Sequence, residues 1–137
     1  DIDYEGDWRL GNLSPYCEPI VYMFKPYKVG TTITDNFIMS KLGCFNSDVL
    51  TKNIIEVTSL SKNVNHPTEK PLKLMEILIE LVTIKGSTVL DPFMGSGSTG
   101  VACVNLNRRV IMIEKDPHYF EVGSERVGVA LSEKVDS

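Results

Sequence analysis

From His66 to the C-terminus the apolar and polar positions fall into a regular order. Leu74, Leu78, Leu81 and Val82 recur at helical spacing together with Met75 and Ile79, while Lys73, Glu76 and Glu80 take the opposite face. Pro71 suits the first turn of that helix, because its φ is already helical and its missing N–H would be unpaired there. Gly86 is a natural stop. The pattern predicts a helix over about residues 71–84. Thr88-Val89-Leu90 then reads as a short buried strand ending at Asp91, and the Gly/Ser run Met94-Gly95-Ser96-Gly97-Ser98 as a loop opening a helix to about Asn105. Val110-Ile111-Met112-Ile113, within residues 109–114, is continuously apolar, as for a strand covered on both faces. Asp116-Pro117 is a cap with proline behind it, starting a last helix with Phe120, Val122, Val127 and Leu131 as its apolar positions. Gly123 and Gly128 are expected to weaken that helix by ~1 kcal/mol each relative to alanine.

Residues 1–65 lack this order. Short apolar runs are separated by Gly, Pro, Asn, Ser and Asp, and the best strand candidate is Ile20-Val21-Tyr22-Met23-Phe24, between Pro19 and Pro26. Residues 30–53, rich in Thr, Asn, Ser and Gly, read as a long excursion with little regular structure. The expected division is therefore residues 1–65 as an irregular segment with one strand, and residues 66–137 as an ordered unit. The order helix, strand, Gly loop, helix, strand, helix predicts an α/β fold, a partial doubly wound, Rossmann-like sheet.

The loop at the end of the first strand carries the candidate chemistry. A helix N-terminus there turns unpaired N–H groups toward the crevice. Gly95 and Gly97 can adopt positive φ and let a ligand approach the backbone, and Gly100 allows close helix–strand packing. Glu114 ends the next strand nineteen residues after Gly95, where an acid takes ribose hydroxyls in nucleotide-binding folds. The alternatives are a plain structural turn or a dinucleotide site, since Gly95-Ser96-Gly97-Ser98-Thr99-Gly100 also satisfies GxGxxG. No lysine follows the glycines, which excludes a phosphate-gripping P-loop. Asp91-Pro92-Phe93, inserted between strand and glycines, puts an acid at the crevice mouth, suited to a cationic amine rather than a pyrophosphate.

Composition narrows the field little. The 137 residues are 42% hydrophobic and 23% charged, in the globular range. Three cysteines (Cys17, Cys44, Cys103) and two histidines (His66, His118) give no metal-ligand spacing and no disulfide framework, so no metal is expected and the thiols are expected free and at least half-buried. No apolar run approaches a membrane span and no signal-peptide pattern opens the chain, which reads as soluble and cytoplasmic, with no membrane partner. Net charge is −4, with six basic and eight acidic residues before His66 and eight and ten from it onward. Neither part offers the basic footprint of autonomous nucleic-acid binding.

Asp91-Pro92-Phe93-Met94-Gly95-Ser96-Gly97-Ser98-Thr99-Gly100 closely resembles the DPFxGSGTT loop of bacterial and phage amino-methylating DNA methyltransferases, which bind S-adenosylmethionine. His66-Pro67-Thr68-Glu69-Lys70-Pro71 is similar to the HPTxKP box of the β-ordered group of that family. Ile113-Glu114-Lys115-Asp116-Pro117-His118-Tyr119-Phe120 resembles its IExDPxYx segment. With Glu18 to Pro26 and the stretch from Gly30 to Asn46, which look like the segment preceding HPTxKP in some members, the resemblance spans about residues 8–127. It implies an S-adenosylmethionine-dependent methyltransferase fold in which Asp91 meets the methionine amino group and Phe93 lies against the ligand. Gly95 and Gly97 make room, loop N–H groups face the methionine carboxylate, and Glu114 holds the ribose, with Pro92, Ser96 and Ser98 counted among the cofactor-binding residues. Thr68 and Lys70 would flank the methionine end. His66 reads either as part of that end or as a hydrogen-bonded turn residue.

One element of the family chemistry is missing. A DPPY-type box holds the target base, which must be flipped from the duplex to reach the cofactor. The sequence has no Pro-Pro, and Asn12-Leu13-Ser14-Pro15-Tyr16 is a poor substitute, so no catalytic residue is assigned. The resemblance thus implies the cofactor-binding C-terminal part of a site-specific adenine-N6 or cytosine-N4 DNA methyltransferase from a restriction-modification setting. DNA would be engaged through the complete enzyme, with an upstream half in cis or in trans, and a strand without its neighbour would leave the isolated chain poorly folded. A non-catalytic S-adenosylmethionine-binding remnant or subunit, and an NAD-binding domain, are the competing readings.

Overall fold

A computed structural model describes residues 18–26, 28–40, 44–57 and 69–135. Six elements form, in the order α1 (Ile33–Ser40), α2 (Leu72–Val82), β1 (Thr88–Asp91), α3 (Ser98–Asn105), β2 (Arg109–Met112) and α4 (Pro117–Val135). β1 and β2 pair in parallel with Thr88 opposite Arg109 and Asp91 opposite Met112. With α3 as the crossover this is a βαβ unit, the opening half of a doubly wound α/β sheet.

α3 lies at the centre because its sequence, STGVACVN, is small and apolar on nearly every side. Ala102 and Cys103 are wholly buried and pack with Ile79 of α2, Val89 of β1 and Val110 of β2. On its other flank Val101 and Val104 meet Val127 of α4, with Met112 against them. Gly100 sits at the tightest point: a Cβ there would lie 2.5 Å from Val127 Cγ2 and 2.6 Å from Met112 Sδ. Burial pushes the Cys103 thiol up to about 11, with Arg108 opposing and Asp91 adding to the shift.

The ends of the unit are tied by polar contacts. Arg108 donates from Nε to Thr83 Oγ1 at 3.1 Å and from Nη2 to the Thr83 carbonyl at 2.9 Å, joining the end of α2 to the α3–β2 turn. Lys134 reaches the carbonyls of Val104 and Asn105, capping the C-terminal end of α3 with a positive charge.

Several sequence expectations are corrected here. α2 ends at Val82, before Gly86: the Thr83 hydroxyl donates to the Ile79 carbonyl and its backbone turns extended, at φ −134° and ψ 153°. Pro71 is the N-cap rather than the first helical residue. β2 stops at Met112: Ile113 still donates to the Asp91 carbonyl at 2.9 Å, but the next rung is lost because the Phe93 N–H turns to Asp91 Oδ1 and the Met94 N–H takes the Ile113 carbonyl instead. Residues 20–24 form no strand, since nothing among the described residues pairs with them. Residues 30–53 hold a helix, α1, opened by a reciprocal box in which Thr32 N–H donates to Asp35 Oδ2 at 2.8 Å and Asp35 N–H to Thr32 Oγ1 at 3.2 Å. The Thr32 N–H and the Thr32 hydroxyl, both donating to Oδ2, hold the Asp35 carboxyl below its ordinary value. Of the cysteines, Cys44 is a half-buried free thiol and Cys103 a buried one, and Cys17 lies outside the described residues.

Candidate functional site

The chain leaves β1 through an Asx turn: Asp91 Oδ1 accepts from the Phe93 N–H at 3.0 Å. Pro92 and Phe93 project outward, while Met94 is buried beneath them. Gly95 and Gly97 both take positive φ, 51° and 79°, and Gly97 is the N-cap of α3. This turn is possible only because a second glycine faces it. A Cβ on Gly123 would fall 2.8 Å from the Gly95 carbonyl oxygen, and one on Gly97 would fall 2.9 Å from the Gly123 carbonyl oxygen. Gly123, expected from sequence only to weaken α4, is the floor on which the loop rests.

Glu114, just beyond β2, fixes the loop from the side. Its Oε2 accepts from the Gly95 N–H at 2.8 Å, and its Oε1 accepts from the N–H groups of Lys115 and Asp116 at 2.9 Å each. The same carboxylate thus links the ends of both strands.

A cleft of about 250 Å³ opens in front of the loop. It is lined by six of the predicted residues, Lys70, Asp91, Phe93, Gly95, Ser96 and Ser98, together with Glu69, Met75, Met94 and Thr99. Pro92, Gly97 and Glu114 lie next to it rather than in its lining. His66 and Thr68 lie outside the described residues. Lys70 Nζ is bonded to Glu18 Oε2 at 2.6 Å at the exposed rim. The volume is below the ~300–1,000 Å³ of a complete small-molecule site, so the cleft fits one end of a nucleoside-sized ligand. Among the described residues no group of His, Cys, Asp and Glu could hold a metal ion, and no helix is long and apolar enough to cross a membrane.

Sequence reasoning missed one constellation. Arg126, on α4, donates from Nη1 to Glu69 Oε1 at 2.7 Å, and at 3.2–3.3 Å to the Ser96 carbonyl, Ser96 Oγ and Ser98 Oγ. The Glu69 side chain is only 9% exposed and that of Arg126 30%. A pair separated by 57 positions leaves no local signal in the sequence.

A parallel βαβ unit whose first strand opens into a glycine turn, braced by an acid at the end of the second, is the arrangement of a partial doubly wound, Rossmann-like α/β fold. Residues 15–125 match the model of the N6/N4-type DNA methylases. The chain belongs to this DNA methylase family. It is 40% identical over 134 residues to the type II methyltransferase M.HindIII of Haemophilus influenzae, covering 89% of this chain and 43% of that protein. To the type II methyltransferase M.BglI of Bacillus subtilis it is 39% identical over 107 residues, covering 78% of this chain and 30% of that one. Among solved structures, the M1.HpyAVI–SAM complex is 46% identical over 54% of this chain and 36% of that chain, with a TM-score of 0.48. The chain therefore spans less than half the length of these relatives.

Proposed function

We propose that this chain is the S-adenosylmethionine-binding part of a site-specific DNA methyltransferase acting on an exocyclic amine, adenine N6 or cytosine N4. The observation that carries the proposal is the cleft in front of the Gly95–Gly97 turn. Its lining brings together Asp91, Ser96 and Ser98, the last at the N-terminal end of α3. A methionine end is a zwitterion, so Asp91 would take its ammonium and the helix N-terminus with the two hydroxyls its carboxylate. The adenosine end would run out past Phe93 toward Glu114, whose carboxylate would share its acceptors between the loop and the ribose hydroxyls. Lys70 would stand at the rim of the methionine end, and His66 and Thr68 are assigned to the same end on the resemblance of their box.

The cofactor supplies an electrophilic methyl group. Holding the flipped base, with hydrogen bonds accepted from its exocyclic amine so that the nitrogen lone pair can attack that methyl group, belongs to a DPPY-type box, which this sequence lacks. We assign that box, and the contact with DNA, to an upstream half acting in cis or in trans. The open face of the sheet supports this reading: Leu90, Ile111 and Ile113 are 61%, 55% and 54% exposed, whereas parallel sheets are normally covered on both faces.

Titration with S-adenosylmethionine and with NAD tests the cofactor, and binding of NAD alone overturns the proposal. Methyl transfer to DNA on co-expression with a DPPY-bearing half tests the activity. Cofactor binding without transfer would favour a non-catalytic subunit instead.

A further inference from the structure

We infer that Arg126 is a positioning residue of the cleft, turning the Ser96 and Ser98 hydroxyl protons toward the carboxylate of an amino-acid-bearing ligand. This rests on the reading of the cleft as a methionine-end site. Nη1 carries two protons. The 2.7 Å contact to Glu69 takes one, and the other is shared among the Ser96 carbonyl and the two hydroxyl oxygens at 3.2–3.3 Å. A serine oxygen that accepts from a guanidinium must rotate its own O–H elsewhere. Both serines line the cleft and are 4% and 6% exposed, so the cleft is the open direction for those protons. Accepting from a cation also polarises each hydroxyl and strengthens it as a donor.

Glu69 has a separate part. Its carboxylate is nearly buried, and the ion pair fixes Arg126 where a flexible side chain would otherwise swing into solvent. Glu69, just before α2, and the loop following β1 are thereby clamped to one guanidinium on α4. Arg126 itself is absent from the cleft lining, which makes it a support for the serines rather than a ligand contact.

The test compares two ligands that differ by one group: S-adenosylmethionine and its decarboxylated analogue. Their affinities are measured calorimetrically for the chain co-expressed with a DPPY-bearing half, and for the same assembly carrying Arg126→Gln or the double variant Ser96→Ala, Ser98→Ala. Both variants are expected to lose S-adenosylmethionine affinity about 10- to 100-fold, the size of a hydrogen bond to a charged group. Affinity for the decarboxylated analogue should change by less than about threefold. Equal losses for both ligands would mean the loop had merely collapsed, and no loss would mean the serines face elsewhere; either overturns the inference. The serine variant tests the hydroxyl contacts alone; if Arg126→Gln fails to fold, Arg126→Lys, which keeps the charge but not the planar fork, decides the matter, and an S-adenosylmethionine affinity within about threefold of native overturns the inference. Failure of the native chain to bind S-adenosylmethionine would instead overturn the cofactor reading, and this inference with it.

Discussion

The two faces of the β1–β2 sheet are built from alternate residues of the same two strands, and they have different fates. Val89, Val110 and Met112 point to α3 and its neighbours and join the core. Leu90, Ile111 and Ile113, no less apolar, lie on the opposite face and are more than half exposed. Strand periodicity alone cannot produce that asymmetry, because both sets belong to a strand meant to be covered twice. The helices preceding, joining and following the strands all serve one face, and the second is left more than half exposed.

The largest expected contrast is between core and open face. Ile79→Ala, at a site 6% exposed, should cost ~2–5 kcal/mol in urea unfolding. Ile111→Ala, at 55% exposure, should cost below about 1 kcal/mol in the chain alone. If a covering half packs on the open face, the Ile111 cost rises to the core value in the assembled protein. An equal cost in the isolated chain would break the comparison.

Next come the two glycines of α4. Gly123→Ala should destabilise by ~1–3 kcal/mol, since the new methyl meets the Gly95 carbonyl at 2.8 Å. Gly128→Ala, with nothing within 4 Å of its Cβ position, should stabilise by ~0.5–1 kcal/mol. Thermal unfolding of both variants checks the pair, and the same sign for both would contradict the interlock of loop and helix.

Thiol labelling gives a smaller, qualitative contrast. Cys103, buried and with its thiol pushed up to about 11, should stay unmodified at pH 8 until the chain unfolds, while the half-buried Cys44 reacts in the native state. Rapid native labelling of Cys103 would show the core to be open.

The smallest effect concerns α1. Asp35 is held below its ordinary 3.8 first by the Thr32 N–H and then by the Thr32 hydroxyl, with the slight desolvation opposing. A carboxyl lowered in the folded state stabilises the helix above its ordinary value, and that contribution is lost as pH falls through the lowered one. A carbon-detected NMR titration should find an Asp35 midpoint below 3.8, and Thr32→Val should move it part of the way back. An ordinary midpoint in the native chain would mean the cap is not formed.

Where a local rule decides structure, the chain is legible. The glycine turn fixed α3 at Ser98–Asn105, as predicted, and the Asp116-Pro117 cap fixed the start of α4. Where a rule needs a partner, it failed. Residues 20–24 have strand propensity and no strand to pair with. α1 was hidden in a polar stretch, although Thr32 and Asp35 stand at capping-box spacing and could have revealed it. Gly123 looked like a helix breaker because its contact with Gly95 exists only in space. The Arg126–Glu69 clamp was invisible for the same reason, whereas the gathering of Asp91, Ser96 and Ser98 around one cleft was readable because one short loop carries them.

A crystal of the chain soaked with S-adenosylmethionine tests the central claim most directly. The account predicts the methionine end in the cleft, its ammonium at Asp91 and its carboxylate at Ser96 and Ser98, with Asp91→Ala weakening the binding by ~1–3 kcal/mol. A cofactor seated elsewhere, or an empty cleft at saturating concentration, would contradict it.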